Sequence, residues 1–355
     1  MEQKVLFISY DGLPYNKLRT NAFAQELLKE GVSTEVFSFR DNLHAPFHGP
    51  ESYKTSAFAR LSLLIKAFFF LVKQNRKTIF VVAKAGFHSL APVLVSFIKG
   101  NKIVMDYDDY EYSENNVFRN LFFYLLLFRA KIITCSSVFL TEFMKEKIKK
   151  TVYHIPGCLD ASLFSPMNIS KEKLFTFVWL GNVSDQEVLK NLLFLIDCFV
   201  DVQKKNPKTI LRLSLKGELS SKIEEDIKKR NAKNIEIVYQ MDSLQNFYAK
   251  AHCGLFPLVT KNKYNAAKCP TKVEEYSFMK LPVICTGYGE VTKMVINKKT
   301  GLYADSKEDW VKAMLFLSLH KSKAEEFGKN GRKHMIQNYE LKKQMKSFKK
   351  ILENL

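Results

Sequence analysis

The chain has 355 residues, which at roughly 150 residues per domain suggests two domains, and 46% of its residues are hydrophobic. Its net charge of +19 favours anionic partners: nucleic acid, anionic lipid or phosphorylated substrates. Nucleic acid is set aside, because the lysines are scattered through globular segments and form neither a recognised binding module nor an arginine-rich stretch.

The six cysteines, Cys135, Cys158, Cys198, Cys253, Cys269 and Cys285, form no C-x-x-C pair and none sits near histidines at zinc spacing. Most fall in apolar runs, so they are expected to be buried thiols in a reducing cytoplasm. The start, MEQKVLFISY, enters a strand directly and lacks the basic flank and apolar core of a signal peptide. Leu61 to Val72 and Val117 to Phe128 are strongly apolar. Lys or Arg interrupts each within about 12 residues, short of the roughly 20 needed to span a bilayer. Core or interfacial helices are expected there.

In chain order, Lys4 to Tyr10 reads as a buried strand, and the loop Asp11 to Arg19 contains Gly12 and Pro14. Thr20 to Lys29 has Phe23, Leu27 and Leu28 at helical spacing, and Gly31 suits the helix end. Thr34 to Phe39 is the second strand. This is a βαβ opening without the G-x-G-x-x-G fingerprint. Arg19 has two readings, a contact to an anionic acceptor or a solvated arginine at a helix start. Ser56 to Lys77 is expected to be helical and Ile79 to Ala83 a strand. His88, in the next loop, is more often structural than catalytic in such a place.

Lys102 to Met105 is a fourth strand, followed by Asp106-Tyr107-Asp108-Asp109. The carboxyl edge of an open parallel sheet is where ligands bind. The three aspartates there are either a solvated helix-capping turn or a site. Ile132 to Ser136 is the fifth strand. Strands then recur at Phe175 to Leu180, Ile210 to Leu215, Ile235 to Val238 and Gly254 to Leu258. A helix is expected at Leu244 to Ala251, and from Trp310 the chain is expected to be helical to Leu355.

The most informative stretch is Tyr264 to Asp305, read as loop, helix, buried strand, glycine loop, helix and turn. Pro270 suits a first helical turn. Lys272 in that turn opposes the helix dipole, and a helix start carrying an extra cation suits a phosphate. Glu275 lies three residues on, on the same helix face, and its carboxylate can accept hydrogen bonds from a ribose diol. The alternative is a surface Lys–Glu pair in an ordinary αβα segment. Leu281 to Cys285 is a short buried strand. Gly287 and Gly289 let backbone N–H groups approach a ligand closely.

Pro270-Thr271-Lys272, Glu275-Tyr276 and Leu281-Pro282-Val283-Ile284 resemble the donor-site signature of glycosyltransferase family 4, a retaining family. The resemblance implies an α/β chain of the GT-B fold: two Rossmann-like domains facing a cleft, with the C-terminal helix returning to the first domain. Residues 1–160 plus a helix at 338–355 would form the acceptor-side domain, and 161–337 the domain that binds a nucleotide sugar. His154-Ile155-Pro156-Gly157-Cys158-Leu159-Asp160, with Phe164-Ser165-Pro166, resembles the family's hinge.

By the same resemblance Glu275 is the second glutamate of the family's paired-glutamate motif and holds the ribose; Ala267 stands where the first would be. Lys280 replaces the glycine before the Leu-Pro pair. After Gly181 the family has an arginine and then a lysine, both on the donor diphosphate; here these positions are Asn182 and Lys190. Thr271, Lys272, Gly289 and Glu290 complete the implied donor site. Asp109 matches the acceptor-side aspartate of a His-Asp-like motif, Asp108 stands where histidine is usual, and Asp106 opens the cluster. No metal and no cofactor are implied beyond the sugar nucleotide.

The expected function is transfer of a sugar from a nucleoside-diphosphate sugar to a glycan or lipid-linked acceptor, in cell-surface polysaccharide synthesis. The expected place is the cytoplasm, peripheral to the inner face of the membrane. With Ala267 and Asn182 at those positions, a non-catalytic GT-B paralogue that binds a nucleotide or steadies a partner enzyme is the rival. A GT-B epimerase or phosphorylase is a further one.

Overall fold

In the computed structural model the residues described are 4–13, 17–45, 56–110, 112, 117–167 and 169–355; Pro14 of the first loop lies outside them. The chain divides into two compact units. The first comprises the residues up to Cys158, Ala267–Cys269 and Leu341–Leu355. The second comprises Leu159–Ala266 and Pro270–Glu340.

The first unit begins with β1 (Lys4–Ser9), a π-helical turn (Lys17–Asn21), α1 (Ala22–Lys29) and β2 (Ser33–Ser38). Then come α2 (Phe39–Leu43), α3 (Ala57–Val72), β3 (Ile79–Ala83), α4 (Leu90–Lys99) and β4 (Ile103–Tyr107). It continues through α5 (Val117–Arg129), β5 (Ile132–Cys135), α6 (Val138–Lys147) and β6 (Thr151–His154). Its six-stranded sheet has the order β2-β1-β3-β4-β5-β6, and every pairing is parallel. β3 and β4 are buried at every position, as strands covered on both faces must be.

One face of this sheet is covered by α3, α4, α5 and α6. The other is covered by α1 and the last helix of the chain, α15 (Leu341–Glu353). Leu341, Met345, Phe348 and Leu352 are the buried positions of α15, a stripe at helical spacing. Phe348 meets Phe7 and Phe23 edge-on, with ring centroids 6.4 and 6.2 Å apart. Burying each such side chain contributes about 1.5–3 kcal/mol, which is what holds α15 to the first unit.

The second unit runs β7 (Phe175–Asn182), α7 (Gln186–Lys205), β8 (Thr209–Lys216), α8 (Ser220–Lys229) and β9 (Ile235–Ile237). After these come α9 (Leu244–Ala249), β10 (Cys253–Phe256), α10 (Lys263–Ala267), α11 (Thr271–Phe278) and β11 (Val283–Cys285). It closes with α12 (Val291–Met294), β12 (Gly301–Tyr303), α13 (Lys307–Leu319) and α14 (Lys321–Asn338). The six-stranded sheet has the order β12-β11-β10-β7-β8-β9, parallel throughout. Counted from β7, this is the doubly wound order of nucleotide-binding sheets, with the direction of winding reversing between β7 and β10.

Several expectations need correction. β4 extends through Asp106 and Tyr107, so Asp106 lies inside the strand rather than after it. β7 likewise runs on through Gly181 and Asn182. The stretch from Tyr264 to Ala267 is part of the short helix α10, not loop. The C-terminal run is three helices, interrupted at His320 and again at Tyr339-Glu340. All six cysteines are thiols, and all but the half-buried Cys269 are buried.

Candidate functional site

In the second unit, the carboxyl end of β7 at the reversal point is formed by Gly181 and Asn182. Lys272, the second residue of α11, extends over Gly181. A Cβ at position 181 would stand 2.9 Å from Lys272 Cε and 3.0 Å from its Nζ, so the bare glycine gives the ammonium its place. The Lys272 ammonium also lies 5.2 Å from the centre of the Trp179 ring, a cation–π contact. Pro270, just before α11, offers no side-chain cap to the first N–H groups of the helix. A cation and the start of a helix thus converge where a parallel sheet presents ligands.

Glu275 follows one turn along α11. Its carboxylate Oε2 accepts a 2.6 Å hydrogen bond from the Tyr248 hydroxyl of α9. Tyr248 in turn meets the Tyr276 ring edge-on at 5.3 Å. Burial raises the Glu275 carboxyl above the usual carboxylate range; the Tyr248 hydrogen bond and the charge of Lys272 oppose the rise. Glu275 is therefore a positioned, partly desolvated group. Its neighbour Glu274 is fully buried.

Asn182 is exposed, and the turn after β8 packs against it. Gly217 has φ +99°, and a Cβ there would come 2.2 Å from Asn182 Oδ1 and 2.9 Å from Val183 O. Glycine is required on both counts. Lys190 is exposed on α7, whose first turn is capped by Asp185 accepting from Val188 N at 2.8 Å.

Beside Lys190, the loop after β10 is tied down. Asn262 and Asn265 donate to the two oxygens of Glu187 at 2.9 and 3.1 Å. Val259 N donates to Asn191 Oδ1 at 2.7 Å. Tyr288, in the glycine loop after β11, donates to Asn262 O at 3.1 Å.

Thr271, the first residue of α11, is half-buried. Gly289 has φ +65°, with Ala266 O where a Cβ would be, at 2.8 Å. Glu290 is buried and accepts from the Tyr339 hydroxyl at 3.3 Å. Ala267, at the position of the implied first glutamate, is a buried methyl.

In the first unit the aspartate cluster is not a set of bare carboxylates. Arg19 is buried and pairs with both oxygens of Asp106, Nε to Oδ2 at 2.8 Å and Nη2 to Oδ1 at 2.6 Å. Thr134 donates to Asp106 Oδ1 at 2.7 Å. Arg19 Nη1 donates to Ile155 O at 3.0 Å, and its guanidinium lies 4.8 Å from the Phe23 ring centre. The solvated reading of Arg19 therefore fails, and its guanidinium is committed to Asp106 and to Ile155 O. Burial disfavours its charge, but Asp106 and Asp108 outweigh that and hold the guanidinium firmly protonated.

Asp108 is half-buried, 3.6 Å from Arg19 Nε. Burial raises its carboxyl, Arg19 lowers it, and Asp109 raises it further. Asp109 is also half-buried and pairs with Lys84 at 2.5 Å. Among the described residues no three His, Cys, Asp or Glu side chains are disposed around a common ion position. His88 is buried, its Nε2 lying 3.1 Å from Ala83 O, beside the Tyr10 and Phe39 rings; it serves the core.

Residues 175–319 match the family model of group 1 glycosyl transferases. No curated protein sequence matches the chain. Solved structures match over its whole length. A glycosyltransferase from Rickettsia africae superposes with a TM-score of 0.80 at 15% identity, over 99% of this chain and 98% of that one. Sucrose-phosphate synthase from Thermosynechococcus elongatus gives 0.76 at 14% identity, over 99% of both. HepE from Anabaena, in complex with UDP, gives 0.75 at 12% identity, over 99% of this chain and all of that one. The fold is GT-B. The same Anabaena protein has also been solved with UDP-glucose.

Sequence reading missed Tyr248 as the partner of Glu275, and Glu187, Asn262 and Asn265 as the tie across the loop after β10. Tyr248 lies in a helix that the sequence does indicate, but nothing local marks its hydroxyl as aimed at a residue in another helix.

Proposed function

We propose that the chain is a retaining glycosyltransferase that moves a sugar from a nucleoside-diphosphate sugar to a glycan or lipid-linked acceptor in cell-surface polysaccharide synthesis. One observation carries this reading: Lys272, seated over Gly181 and Trp179 at the reversal point of a doubly wound sheet, one helical turn before the half-buried Glu275. A nucleoside diphosphate presents matching chemistry, with anionic phosphates for the cation and a ribose diol for the carboxylate. The group 1 glycosyl transferase match over 175–319 and the UDP held by HepE support it.

In this reading Lys272 and Lys190 neutralise the departing diphosphate, the electrostatic contribution that usually dominates such transfers. Thr271 and Asn182 border the phosphates, and the Gly289–Glu290 loop borders the sugar. Asp108 and Asp109 receive the acceptor, and Asp106 positions that cluster through Arg19. The bond from the anomeric carbon to the diphosphate oxygen breaks as the acceptor oxygen bonds to that carbon from the same face. The leaving phosphate oxygen takes the acceptor proton, so no protein nucleophile is assigned. The cytoplasm is proposed as the location, in keeping with six cysteines that are all thiols.

The direct test is to screen sugar nucleotides for thermal stabilisation, which any ligand of the folded state produces, and then assay transfer and donor hydrolysis. Stabilisation by a sugar nucleotide followed by turnover is expected. Stabilisation without turnover would leave a nucleotide-binding protein and overturn the enzymatic reading. Cations rather than a metal face the diphosphate in this proposal, so a chelator should leave transfer unchanged. Activity lost with chelator and restored by magnesium or manganese would bring Asp108 and Asp109 forward as ligands.

The environment of Glu275 also sets a pH dependence. Its carboxyl is raised by burial and held down by Tyr248 and Lys272. A raised acid makes its folding contribution in the protonated form, present at low pH and lost as pH rises through the raised value. Nucleotide binding has the opposite sign, because it uses the carboxylate, so affinity should fall as pH drops through that value. Tyr248→Phe removes one of the groups holding it down, so the loss should begin at higher pH. Calorimetric titration of a nucleoside across pH measures both midpoints, and coincident midpoints would disconnect Glu275 from the ligand.

A further inference from the structure

The helices α3, α4 and α5 lie side by side on one face of the first sheet, α3 against α4 and α4 against α5. Each buries one stripe in the core, including Leu63, Leu71, Val95 and Leu126. A surface helix needs only one such stripe, yet each of these also turns large apolar side chains outward. Phe58, Ile65 and Phe69 of α3, Phe97 and Ile98 of α4, and Phe128 of α5 are exposed, Phe58 at 81% and Phe128 at 72%.

The patch is continuous from α4 to α5. Phe97 stacks on Phe128 with centroids 6.4 Å apart. The Arg129 guanidinium lies 5.2 Å from the Phe97 ring centre and donates to Ser96 O at 2.6 Å. Outward apolarity is not general on this side of the sheet. On α6, the next helix along, the exposed positions are Glu142, Lys145, Glu146 and Lys147.

The charged residues described on and just beyond these helices are basic. None of the three helices contains an aspartate or glutamate. Lys66 is exposed on α3; Lys73, Arg76 and Lys77 are exposed just beyond its end, and Lys131 just beyond α5. No helix among the described residues is long and apolar enough to cross a membrane. An apolar, aromatic face with lysines at its edge suits the boundary between acyl chains and anionic headgroups.

We propose that the α3–α4–α5 face docks the first unit onto an anionic lipid bilayer. The aromatic side chains enter the headgroup–acyl boundary, and Lys66, Lys73, Lys77 and Lys131 meet lipid phosphates. The proposal does not depend on the donor reading, which concerns the second unit.

The test is flotation of the full chain with vesicles of phosphatidylglycerol and phosphatidylcholine in equal parts, against vesicles of phosphatidylcholine alone. The protein should float with the anionic vesicles at low salt and be released as salt screens the attraction. Both native tryptophans, Trp179 and Trp310, are buried in the second unit. The Phe128→Trp variant therefore adds a local probe, whose emission should shift to the blue on docking. The combined variant Ile65→Glu, Phe97→Glu, Phe128→Glu changes exposed positions, and a circular dichroism spectrum with a cooperative thermal transition like that of wild type checks that it is folded. Its vesicle affinity should fall at least about tenfold, equivalent to about 1.4 kcal/mol. Lys66→Glu with Lys131→Glu leaves the apolar face whole and should also weaken anionic-vesicle binding. Wild-type failure to float at low salt, or equal flotation with and without phosphatidylglycerol, would overturn the proposal. So would a dimer that the combined variant dissolves, with no vesicle binding, since the face would then belong to a second copy of the chain.

Discussion

Glu275→Ala should weaken binding of nucleoside, nucleoside diphosphate and sugar nucleotide alike, by on the order of tenfold to a hundredfold. That range follows from about 1.5–3 kcal/mol for hydrogen bonds to a charged group. Lys272→Ala should produce a different pattern: weaker binding of the two diphosphate ligands and a nearly unaffected nucleoside. The contrast follows from the geometry. Lys272 is held at the strand end by Gly181 and Trp179, where phosphates would lie. Glu275 sits a turn further along α11, with one oxygen already oriented by Tyr248 at 2.6 Å.

Glu275→Gln should fall between wild type and alanine, because it keeps one acceptor oxygen and loses the charge. A merely structural role for Glu275 predicts something else, a lower melting temperature with ligand affinities unchanged. Calorimetric titration of all three ligands, with thermal unfolding as the control, separates the cases. Wild-type affinities in folded Glu275→Ala would remove the residue on which the donor reading turns.

The strands were the most legible part of the chain. β3 and β11 are short apolar runs between breakers, and a strand buried on both faces can look like little else. α3 was legible for a related reason, since Ser56 precedes a long apolar run and its hydroxyl does accept from Ala59 N. α4 was not, because Pro92 near its start and apolar residues all round hide its period. β12 is three residues long, too short for any pattern.

At the sites, residue types could be named but pairings could not. The mutual repulsion of Asp106, Asp108 and Asp109 is visible in sequence. Its relief is not, because Arg19 lies 87 residues away from Asp106. Tyr248 and Glu275 are 27 residues apart, and Glu187 and Asn265 are 78. Nothing local specifies such contacts; they arise only when the sheet brings its loops to one edge. Asp106 shows the consequence. Its place at a strand end marked it as a candidate site residue, but its two oxygens are taken by Arg19 and Thr134.

That division within the aspartate cluster gives the second large effect. Asp106→Ala should destabilise the first unit by about 3–5 kcal/mol, the cost of leaving a buried charge without its partner. Arg19→Met should cost a similar amount, with the added loss of the bond to Ile155 O that fixes the chain after β6. The double variant Arg19→Met, Asp106→Leu should cost much less than the sum of the two single changes, because no charge is then stranded. Asp109→Asn alters a half-buried group that pairs with Lys84 at 2.5 Å. Its stability should stay within about 0.5 kcal/mol of wild type, while transfer to the acceptor falls. Denaturant unfolding followed through the first unit, alongside a transfer assay, reads both properties. If Asp106→Ala were as stable as wild type, the Arg19–Asp106 pair would not be the brace described here. If Asp109→Asn transferred sugar at the wild-type rate, the acceptor role would pass to Asp108 alone.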